Sequence, residues 1–348
     1  MINVSVVLPT YNRLERLQKV LAGLEAQSYP LDHFEVVVVS DGSSDGTDVY
    51  LQDIESPLNL KPVLQENQGP AAARNNGFNQ ASGEYILFID DDVVPTPSLI
   101  TKHLKVHDAQ EDDVVVLGPM LTPEDFQMYP WVQYEQLMLM KQYEDMIAGA
   151  WEPTARQFYT GNTSLKRNYL IDSGGFDTSF RRAEDVELAY RLATMGLRFV
   201  FCPEAIGYHY AERSFASWLS TPYQYGRNDV IFARDKGQTW LIPTMMYEFQ
   251  ERNKLIQAMT RFCLDRKVIS KLTNSALRMS ASVGTKLKIN KLTKIAYSGL
   301  FNLQHYQGVS DELGGRKKFF DGVKNVHSKP PVPGDADFQE SLKTTTAQ

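Results

Sequence analysis

Three consecutive aspartates follow the apolar run YILFI (residues 85–89) without a break: Asp90, Asp91 and Asp92. A single aspartate in such a place is ordinary, because Asp starts turns and caps helices. Three neighbouring carboxylates repel one another unless a cation or a fixed set of donors stands opposite them. Oxygen-rich sites of this kind suit Mg²⁺ or Mn²⁺ that is shared between the protein and the phosphates of a substrate. The triplet therefore indicates a metal-bridged phosphate ligand as the first hypothesis.

The elements before the triplet alternate between strands and helices. Apolar, β-branched runs predict strands, apolar residues at helical spacing predict the first helix, and Pro70 at a first helical position begins the second. The predicted strands are 4–9, 34–42, 60–66 and 84–90, and the predicted helices are 13–27 and 70–81. Strands that are apolar throughout are typical of a parallel sheet covered by helices on both faces, which predicts an α/β fold.

Polar residues gather where the first, second and fourth predicted strands end: PTYNR, SDGSSDGT and the aspartate triplet. Open α/β sheets bind their ligands at these carboxyl ends. A dinucleotide-binding fold would place a glycine-rich turn after the first strand, and PTYNR contains no glycine. The strand ends offer Tyr11, Asp41, Asp45 and Arg74 in addition to the triplet. This set favours a nucleotide diphosphate bridged by a metal ion, with Tyr11 and Asp41 available for its base and ribose.

Acidic and basic residues are distributed unevenly along the chain. Residues 1–239 contain 19 Lys and Arg against 33 Asp and Glu, a net charge of −14. Residues 240–329 contain 16 against 6, a net charge of +10, and residues 330–348 contain 1 against 3. The last segment is also rich in proline and polar residues, which predicts disorder. We therefore expect an acidic first domain (1–239), a basic helical C-terminal module (240–329) and a disordered tail (330–348).

The basic module mixes Lys and Arg with apolar residues at roughly helical intervals. Two interpretations stay open: helices that pack on the first domain with solvated charges, or a surface that meets anionic lipid headgroups. Nucleic acid is not expected as a partner, because no recognition motif is present and the first domain is acidic. No stretch is apolar enough to span a membrane, and MINVSVVLP does not look like a signal peptide. With only Cys202 and Cys263, we expect a cytoplasmic protein, peripheral at the inner face of the membrane under the second interpretation.

Six stretches occur in the order seen in family 2 glycosyltransferases, so the chain resembles that family over about residues 3–210. They are VVLPTYNR, VSDGSSDGT, NQGPAAARNNG, FIDDD, GNTSLK and GGFDTSFRRAEDVELAYRL. Each motif alone is weak, and the specificity comes from their shared order and spacing. The resemblance implies a GT-A fold for residues 1–239, which is Rossmann-like with a mostly parallel central sheet. It also implies an inverting hexosyltransferase that uses a nucleotide sugar with Mn²⁺ or Mg²⁺.

The resemblance implies a nucleoside pocket at the ends of the first two strands. Pro9, Thr10 and Tyr11 would line this pocket. Asp41 would accept a hydrogen bond from the base, most naturally from N3–H of uracil, which makes UDP the expected nucleotide. Arg74 would lie near the base or the diphosphate.

The resemblance also assigns roles within and beyond the aspartate triplet. Asp90 would reach the ribose and Asp92 would bind the metal, as the last member of an Asp-x-Asp signature. Asp91, the middle residue, varies in type in the family pattern and is given a lesser role. Gly161 and Asn162 fall where family members pass their backbone close to the donor sugar.

The pair Glu184 and Asp185 precedes an apolar stripe at helical spacing, so both carboxylates fall in the first turn of a predicted helix. Acidic residues complement the helix dipole there, which is a sufficient structural reason for them. The resemblance adds a second reason, because it implies that Glu184 and Asp185 form a catalytic pair in which Asp185 is the general base that takes the proton of the acceptor hydroxyl. An ionised base near the reacting carbon fits a direct, inverting displacement.

Among the histidines, His209 has a context of its own. It lies 24 residues beyond Asp185, after the predicted strand LRFVFCP, where family members place a metal-binding histidine. The resemblance therefore implies that His209 and Asp92 hold the metal. His103, His107 and His305 lack such a context and are expected at the surface.

The function predicted is transfer of a sugar from a UDP-sugar to a hydroxyl acceptor: a glycan, a lipid-linked sugar or a small molecule. A sugar nucleotidyltransferase shares this layout, but it would need a glycine-rich basic loop where PTYNR stands. A catalytically silent sugar-nucleotide-binding or scaffold protein is the alternative outside enzymes. The presence of both the triplet and the Glu184–Asp185 pair speaks against it.

Overall fold

The computed structural model describes residues 2–330 and 332 and separates the chain into two compact units. The first unit comprises the chain up to Gln127 together with Met138–Ala211. The second comprises Met128–Leu137 and the chain from Glu212 onward, so it begins ahead of the boundary at 239 that was drawn from charge. The limits of independently folding domains stay a prediction. The expected disordered tail, 330–348, lies outside the described residues except for positions 330 and 332.

The strands of the first unit include the four predicted up to residue 90, in the predicted order. They are β1 (Val4–Thr10), β2 (Phe34–Asp41), β3 (Asn59–Gln65), β4 (Tyr85–Ile89), β5 (Val93–Pro95), β6 (Val114–Leu117), β7 (Met120–Leu121), β8 (Asn162–Lys166), β9 (Arg198–Phe201) and β10 (Gly207–His209). The helices up to residue 211 are α1 (Leu14–Glu25), α2 (Thr47–Asp53), α3 (Pro70–Gln80), α4 (Leu99–Ala109), α5 (Pro130–Ile147), α6 (Arg167–Asp172) and α7 (Glu184–Thr194). The helix α5 begins in the second unit and ends in the first.

Seven of these strands form the central sheet, in the order β3-β2-β1-β4-β8-β6-β9. Within it β8 is antiparallel to both of its neighbours, β4 and β6, and the other neighbouring strands are parallel. The remaining strands form a small sheet in the order β5-β10-β7. The expected mostly parallel sheet is confirmed.

Burial explains why the central strands are so apolar. The run Val36–Val39 of β2 is fully buried, as are Val6, Val7 and Leu8 of β1, because helices cover both faces of a parallel sheet. The apolar face of α1 packs on this sheet in one hydrophobic cluster. Pro62 is tolerated in β3 because an edge strand does not need every N–H group for pairing. The carboxyl ends of β1, β2 and β4 are thereby held side by side.

The second unit is helical. After the start of α5 it contains α8 (Phe215–Asp235), α9 (Leu241–Glu251), α10 (Lys254–Cys263), α11 (Lys267–Lys286), α12 (Asn290–Leu313) and α13 (Arg316–Asn325). Its own core is centred on Met245, Phe249, Tyr306 and Phe319. None of the helices within residues 2–330 combines the length and the apolar composition that crossing a bilayer requires.

Candidate active site

The aspartate triplet forms the turn between β4 and β5, and each carboxylate has different partners. Asp91 accepts hydrogen bonds from Oγ1 of Thr10 at 2.8 Å and from Nη1 of Arg13 at 3.0 Å. Asp92 accepts from the same Nη1 of Arg13 and lies 3.4 Å from Nε2 of His209. Asp90 pairs with Nη2 of Arg74 at 2.9 Å. Two arginines of the protein therefore offset part of the repulsion among the three carboxylates.

Strand pairing explains how these partners reach the turn. β1 is parallel to β4 with Val7 opposite Phe88, so Thr10 at the end of β1 comes beside the triplet. β10 is antiparallel to β5 with His209 opposite Val93, and the N–H of Tyr210 donates to the carbonyl of Asp92. The small sheet thus holds His209 next to Asp92, and the two candidate metal ligands are brought together.

Arg74 joins the triplet to the acidic start of α7. Its side chain is buried and donates to Asp90 at 2.9 Å and to Oε1 of Glu184 at 2.8 Å. A buried arginine between two carboxylates holds them in one fixed arrangement, because its guanidinium presents several donors in a rigid plane. Glu184, predicted as part of a catalytic pair, is therefore engaged in an ion pair. Arg74 lies at the site, and its predicted contact with the donor stays a prediction.

Asp185 follows Glu184 in the first turn of α7. Burial raises the pKa of Asp185 to about 7, the negative charge of Glu184 adds to the rise, and Arg74 opposes it. A carboxylate with such a pKa can gain and lose a proton near neutral pH, which suits a general base. Ala183 ahead of this turn has a φ of +61°, in the left-handed region that costs a non-glycine residue on the order of 1 kcal/mol. The entry to α7 is therefore strained where the two carboxylates are presented.

The environments of Asp91 and Asp92 push their pKa values in opposite directions. Burial raises the pKa of Asp91 to about 6, and the charge of Arg13 offsets only part of the rise. Burial also acts on Asp92, but His209 and Arg13 together outweigh it and leave the pKa of Asp92 below its ordinary value. Asp92 is thus the more firmly ionised of the two.

Asp41 is the last residue of β2, and its carboxylate is buried and accepts several hydrogen bonds. Its Oδ1 accepts from Nε2 of Gln65 at 2.7 Å and from the N–H of Gln68 at 2.8 Å, and its Oδ2 accepts from the N–H of Gly69 at 2.8 Å. A carboxylate oxygen can accept two bonds, so Oδ2 retains room for a donor from a ligand. Tyr11, at the end of β1, is half exposed and available for stacking. The roles of Pro9, Thr10, Tyr11 and Asp41 toward a nucleoside stay predictions.

Gly161 and Asn162 meet the site through backbone packing. A Cβ atom on Gly161 would lie 2.5 Å from Sδ of Met120 and 3.2 Å from Oδ2 of Asp90, so glycine lets the chain pass close to the triplet without displacing either side chain. Asn162 is buried, and its Nδ2 donates to the carbonyls of Pro119 and Ala205. Its side chain therefore ties the start of β8 to the β6–β7 and β9–β10 connections, and the predicted contact of its backbone with a donor sugar stays a prediction.

The expectation that His103 and His107 are surface residues is wrong. Both are buried on α4, where both nitrogens of His103 and one nitrogen of His107 bond to side chains of β8, namely Asn162 and Ser164. Burial lowers the pKa of His103 to about 4 and that of His107 to about 3, so both rings are neutral at pH 7. The spacing of His103 and His107 by one helical turn was the available signal, since it places both on one face of α4. His305 is half-buried.

A divalent metal fits Asp92 and His209. Within residues 2–330 no group of three His, Cys, Asp or Glu side chains converges on one point, so the protein alone offers an incomplete set of ligands. Mg²⁺ and Mn²⁺ are commonly held by one or two side chains together with substrate phosphates, so two protein ligands suffice when a diphosphate supplies the rest. Arg13, which sequence analysis did not single out, lies on Oδ2 of Asp92, whereas Oδ1 faces His209.

Comparison with known proteins identifies the family of the chain. The family model for glycosyl transferase family 2 matches residues 5–180, and the chain belongs to that family. A validoxylamine A glucosyltransferase from Streptomyces hygroscopicus subsp. jinggangensis (strain 5008) is 33% identical over 229 residues, which are 58% of this chain and 54% of that protein. The chain thus spans about half the length of this relative.

Two solved structures share the fold. One is the mannosyltransferase PcManGT from Pyrobaculum calidifontis in complex with GDP-Man and Mn²⁺, with a TM-score of 0.58, 21% identity and coverage of 89% of this chain and 88% of that one. The other is S. aureus TarS 1–349 in complex with UDP, with a TM-score of 0.52, 18% identity and coverage of 92% of each chain. The expected GT-A fold with a C-terminal helical region is confirmed.

Proposed function

We propose that this chain transfers a sugar from a UDP-sugar to a hydroxyl group, with inversion at the anomeric carbon and with a divalent metal ion. The observation that carries the proposal is the Arg74 bridge, because it connects the aspartate turn to the start of α7. Arg74 thereby connects the turn where the donor is proposed to bind with the start of the helix that carries the proposed base. The relative named a glucosyltransferase supports a hexosyltransferase, and the neighbours bound to UDP or to GDP-Man support a nucleotide-sugar donor.

The donor is proposed to lie along the ends of β1, β2 and β4. Tyr11 stacks on the base, and Oδ2 of Asp41 accepts from N3–H of uracil. Asp90, whose side chain is one-third exposed, reaches the ribose, and the backbone at Gly161 borders the sugar. Pro9 and Thr10 line the nucleoside pocket, and the hydrogen bond from Thr10 keeps Asp91 in place.

Asp92 and His209 are proposed to hold Mn²⁺ or Mg²⁺ together with the diphosphate. A bound metal ion neutralises the charge that develops on the departing nucleotide diphosphate. Arg13 contacts Oδ2 of Asp92, so its positive charge lies beside the proposed metal position. The protein's part is to keep Asp92 ionised and to hold His209 beside it through the β5–β10 pairing.

Asp185 is proposed as the base that makes the acceptor oxygen reactive. As the acceptor oxygen forms its bond to the anomeric carbon, the bond from that carbon to the nucleotide diphosphate breaks and the hydroxyl proton passes to Asp185. The electron pair of the broken bond leaves with the diphosphate. A pKa near 7 keeps a substantial fraction of Asp185 ionised at neutral pH and still basic enough to take the proton.

The acceptor class stays open between a glycan, a lipid-linked sugar and a small molecule. The net charge of +10 in residues 240–329 supports contact with an anionic membrane surface, which would place the protein at the inner face of the cytoplasmic membrane.

Calorimetry with UDP, in Mn²⁺ and in EDTA, tests the proposal. Wild-type protein should bind UDP at least about tenfold more tightly with Mn²⁺. Asp92→Ala should lose that difference, because one of two protein ligands is gone. Asp53→Ala, an exposed aspartate at the end of α2, is the matched control and should bind as wild type. A panel of UDP-sugars with hydrolysis as the readout then identifies the sugar.

Equal affinity of the wild type in Mn²⁺ and in EDTA would remove the metal from the proposal. GDP is added as a competitor in the same titrations. If GDP competes as well as UDP, the assignment of Tyr11 and Asp41 to uracil is wrong, while the metal result is unaffected.

A further inference from the structure

The helix α11 has two opposite faces that both carry apolar residues. Ala281 and Gly284 face the protein and are buried. The opposite side carries apolar side chains that are between 42% and 73% exposed, namely Val268, Leu272, Met279, Val283 and Leu287. At 100° per residue these positions fall within one stripe of about 100° along the helix. An ordinary surface helix places charged or polar residues there, so the stripe indicates a surface that is covered in use.

All charged residues in the chain around this stripe are basic. Residues 266–310 contain eight Lys and Arg and neither Asp nor Glu. Lys286, Lys288, Lys291 and Lys294 cluster at the turn from α11 to α12, where Ile289 and Ile295 are also exposed. In the part of the chain that the structure describes, none of these four lysines pairs with a carboxylate. Their charge is therefore available to an external partner.

A cavity of about 360 Å³ opens on the neighbouring side of α11. Arg278, Ser282 and Lys286 of α11 line it together with the aromatic rings of Trp131 and Tyr297. The guanidinium of Arg278 lies 4.7 Å from the ring centre of Phe215, which also lines the cavity. Two cations and a hydroxyl beside aromatic walls suit a phosphate with an organic substituent.

We propose that this α11 surface, meaning the exposed stripe, the lysines of the α11–α12 turn and the adjoining cavity, docks on an anionic phospholipid membrane. The helix lies in the headgroup plane, its apolar stripe enters the boundary with the acyl chains, and the cavity receives a lipid phosphate. The inference names the surface for the membrane contact proposed above and rests on that contact, but it does not depend on glycosyl transfer.

Charge decides between this partner and the others. A second copy of the chain would bring the same lysines against themselves, which is unfavourable for a symmetric contact. Nucleic acid would satisfy the lysines and leave five exposed apolar side chains without a role. An anionic bilayer satisfies the charges and the apolar stripe together, because both lie along one helix.

Flotation with vesicles tests the proposal on the full chain. Wild-type protein should float with equimolar phosphatidylcholine and phosphatidylglycerol at low salt, less at high salt, and not with phosphatidylcholine alone. The double variant Leu272→Ser/Met279→Ser should bind at least about tenfold more weakly. Lys286→Gln/Lys288→Gln should bind anionic vesicles about fivefold more weakly for each lysine removed. Val49→Ser/Ile171→Ser, which removes two exposed apolar residues of the first unit, is the matched control and should float as wild type.

Each contrary result has a distinct meaning. Absence of flotation by the wild type on anionic vesicles overturns the membrane contact, whereas equal flotation by all variants overturns the assignment to α11. Light scattering that shows a dimer abolished by Leu272→Ser/Met279→Ser would identify a second copy as the occupant and overturn the proposal. The titration with UDP and Mn²⁺ should be the same for these variants and the wild type. Failure of membrane binding is thus separable from failure of the proposed activity.

Discussion

At the scale of single residues, this site must stabilise several carboxylates that lie close together. Arg13 and Thr10 hold Asp91, His209 and Arg13 hold Asp92, and a buried arginine holds Asp90. Asp185 has no ion pair of this kind with any of the described residues; its Oδ1 accepts from the N–H of Val186. Burial therefore acts on it with less compensation, and its pKa rises to about 7. The residue that should take a proton is the one whose carboxylate is least stabilised.

The pH dependence of transfer follows from that rise. A base must be ionised, and the raised pKa means that Asp185 loses its proton near pH 7 instead of near pH 4. We expect the rate of transfer to rise about tenfold per pH unit below about pH 7 and to level off above it. Asp185→Asn should reduce the rate by about 10²–10⁴-fold and remove this rise, while UDP binding persists.

The matched control for Asp185→Asn is Asp172→Asn, an exposed aspartate at the end of α6, which should keep the wild-type rate and profile. Steady-state rates between pH 5.5 and pH 8.5 (roughly the range over which such a group titrates) provide the measurement. A variant Asp185→Asn with near wild-type transfer would show that this carboxylate only complements the dipole of α7.

Sequence indicated that the triplet needs a counter-charge but not which residue supplies it. Arg13 lies 78 residues from Asp91, and Arg74 lies 110 residues from Glu184. Local spacing carries no information on contacts so distant, because strand order and helix position decide them. The metal ligands were predicted together only because a family pattern links them, and the β5–β10 pairing gives the physical reason.

Strands and helices were predicted best where the sequence has a continuous apolar run or a clear helix-start residue. The first four strands and the helix that begins at Pro70 lie where apolar runs and proline placed them. The antiparallel direction of β8 was not predicted, because the sequence of one strand does not specify its direction relative to its neighbours. The strands β5, β7 and β10 were not predicted, because two or three residues are too few to show periodicity. The buried histidines of α4 were missed because polar side chains that satisfy one another inside a protein look like surface residues in sequence.

The close pairing of α8 with α12 depends on two glycines. A Cβ atom on Gly226 would lie 2.2 Å from the carbonyl oxygen of His305, and one on Gly308 would lie 2.1 Å from that of Tyr223. Backbone cannot yield as a flexible side chain does, so Gly308→Ala should destabilise the second unit by about 1–3 kcal/mol. The gain in helix propensity, at most about 1 kcal/mol, does not offset this cost.

The control for Gly308→Ala is Gly322→Ala on α13, where the nearest atoms belong to the thioether side chain of Met246 at 3.3 Å and beyond. This variant should be neutral or slightly more stable than the wild type, because a methionine can move aside. Urea unfolding followed by circular dichroism compares the two. Equal midpoints for both variants would mean that α8 and α12 separate without cost.

The whole molecule combines two units with separate cores and opposite charge. The candidate active site belongs to the first unit, whose core is formed by the sheet and α1. The core around Phe249, Tyr306 and Phe319 belongs to the second. Net charge is −14 in the first unit, with 15 Lys and Arg against 29 Asp and Glu, and +8 in the second, with 21 against 13. Such a division suits a protein in which one unit binds the donor and another meets a surface.

Ligand-dependent hydrogen exchange should separate the two units. A ligand that binds only the folded first unit stabilises it by RT ln(1 + [L]/Kd), about 2.7 kcal/mol at a hundredfold excess over Kd. With UDP and Mn²⁺ at that excess, the slowest amides of β1, β2 and β4 should exchange up to about 100-fold more slowly. Amides of α9, α12 and α13 should be unaffected, because their core contains none of the proposed ligand contacts. Asp92→Ala should abolish the change, and Asp53→Ala should preserve it. Equal slowing in both cores would instead mean that the two units unfold as one cooperative body.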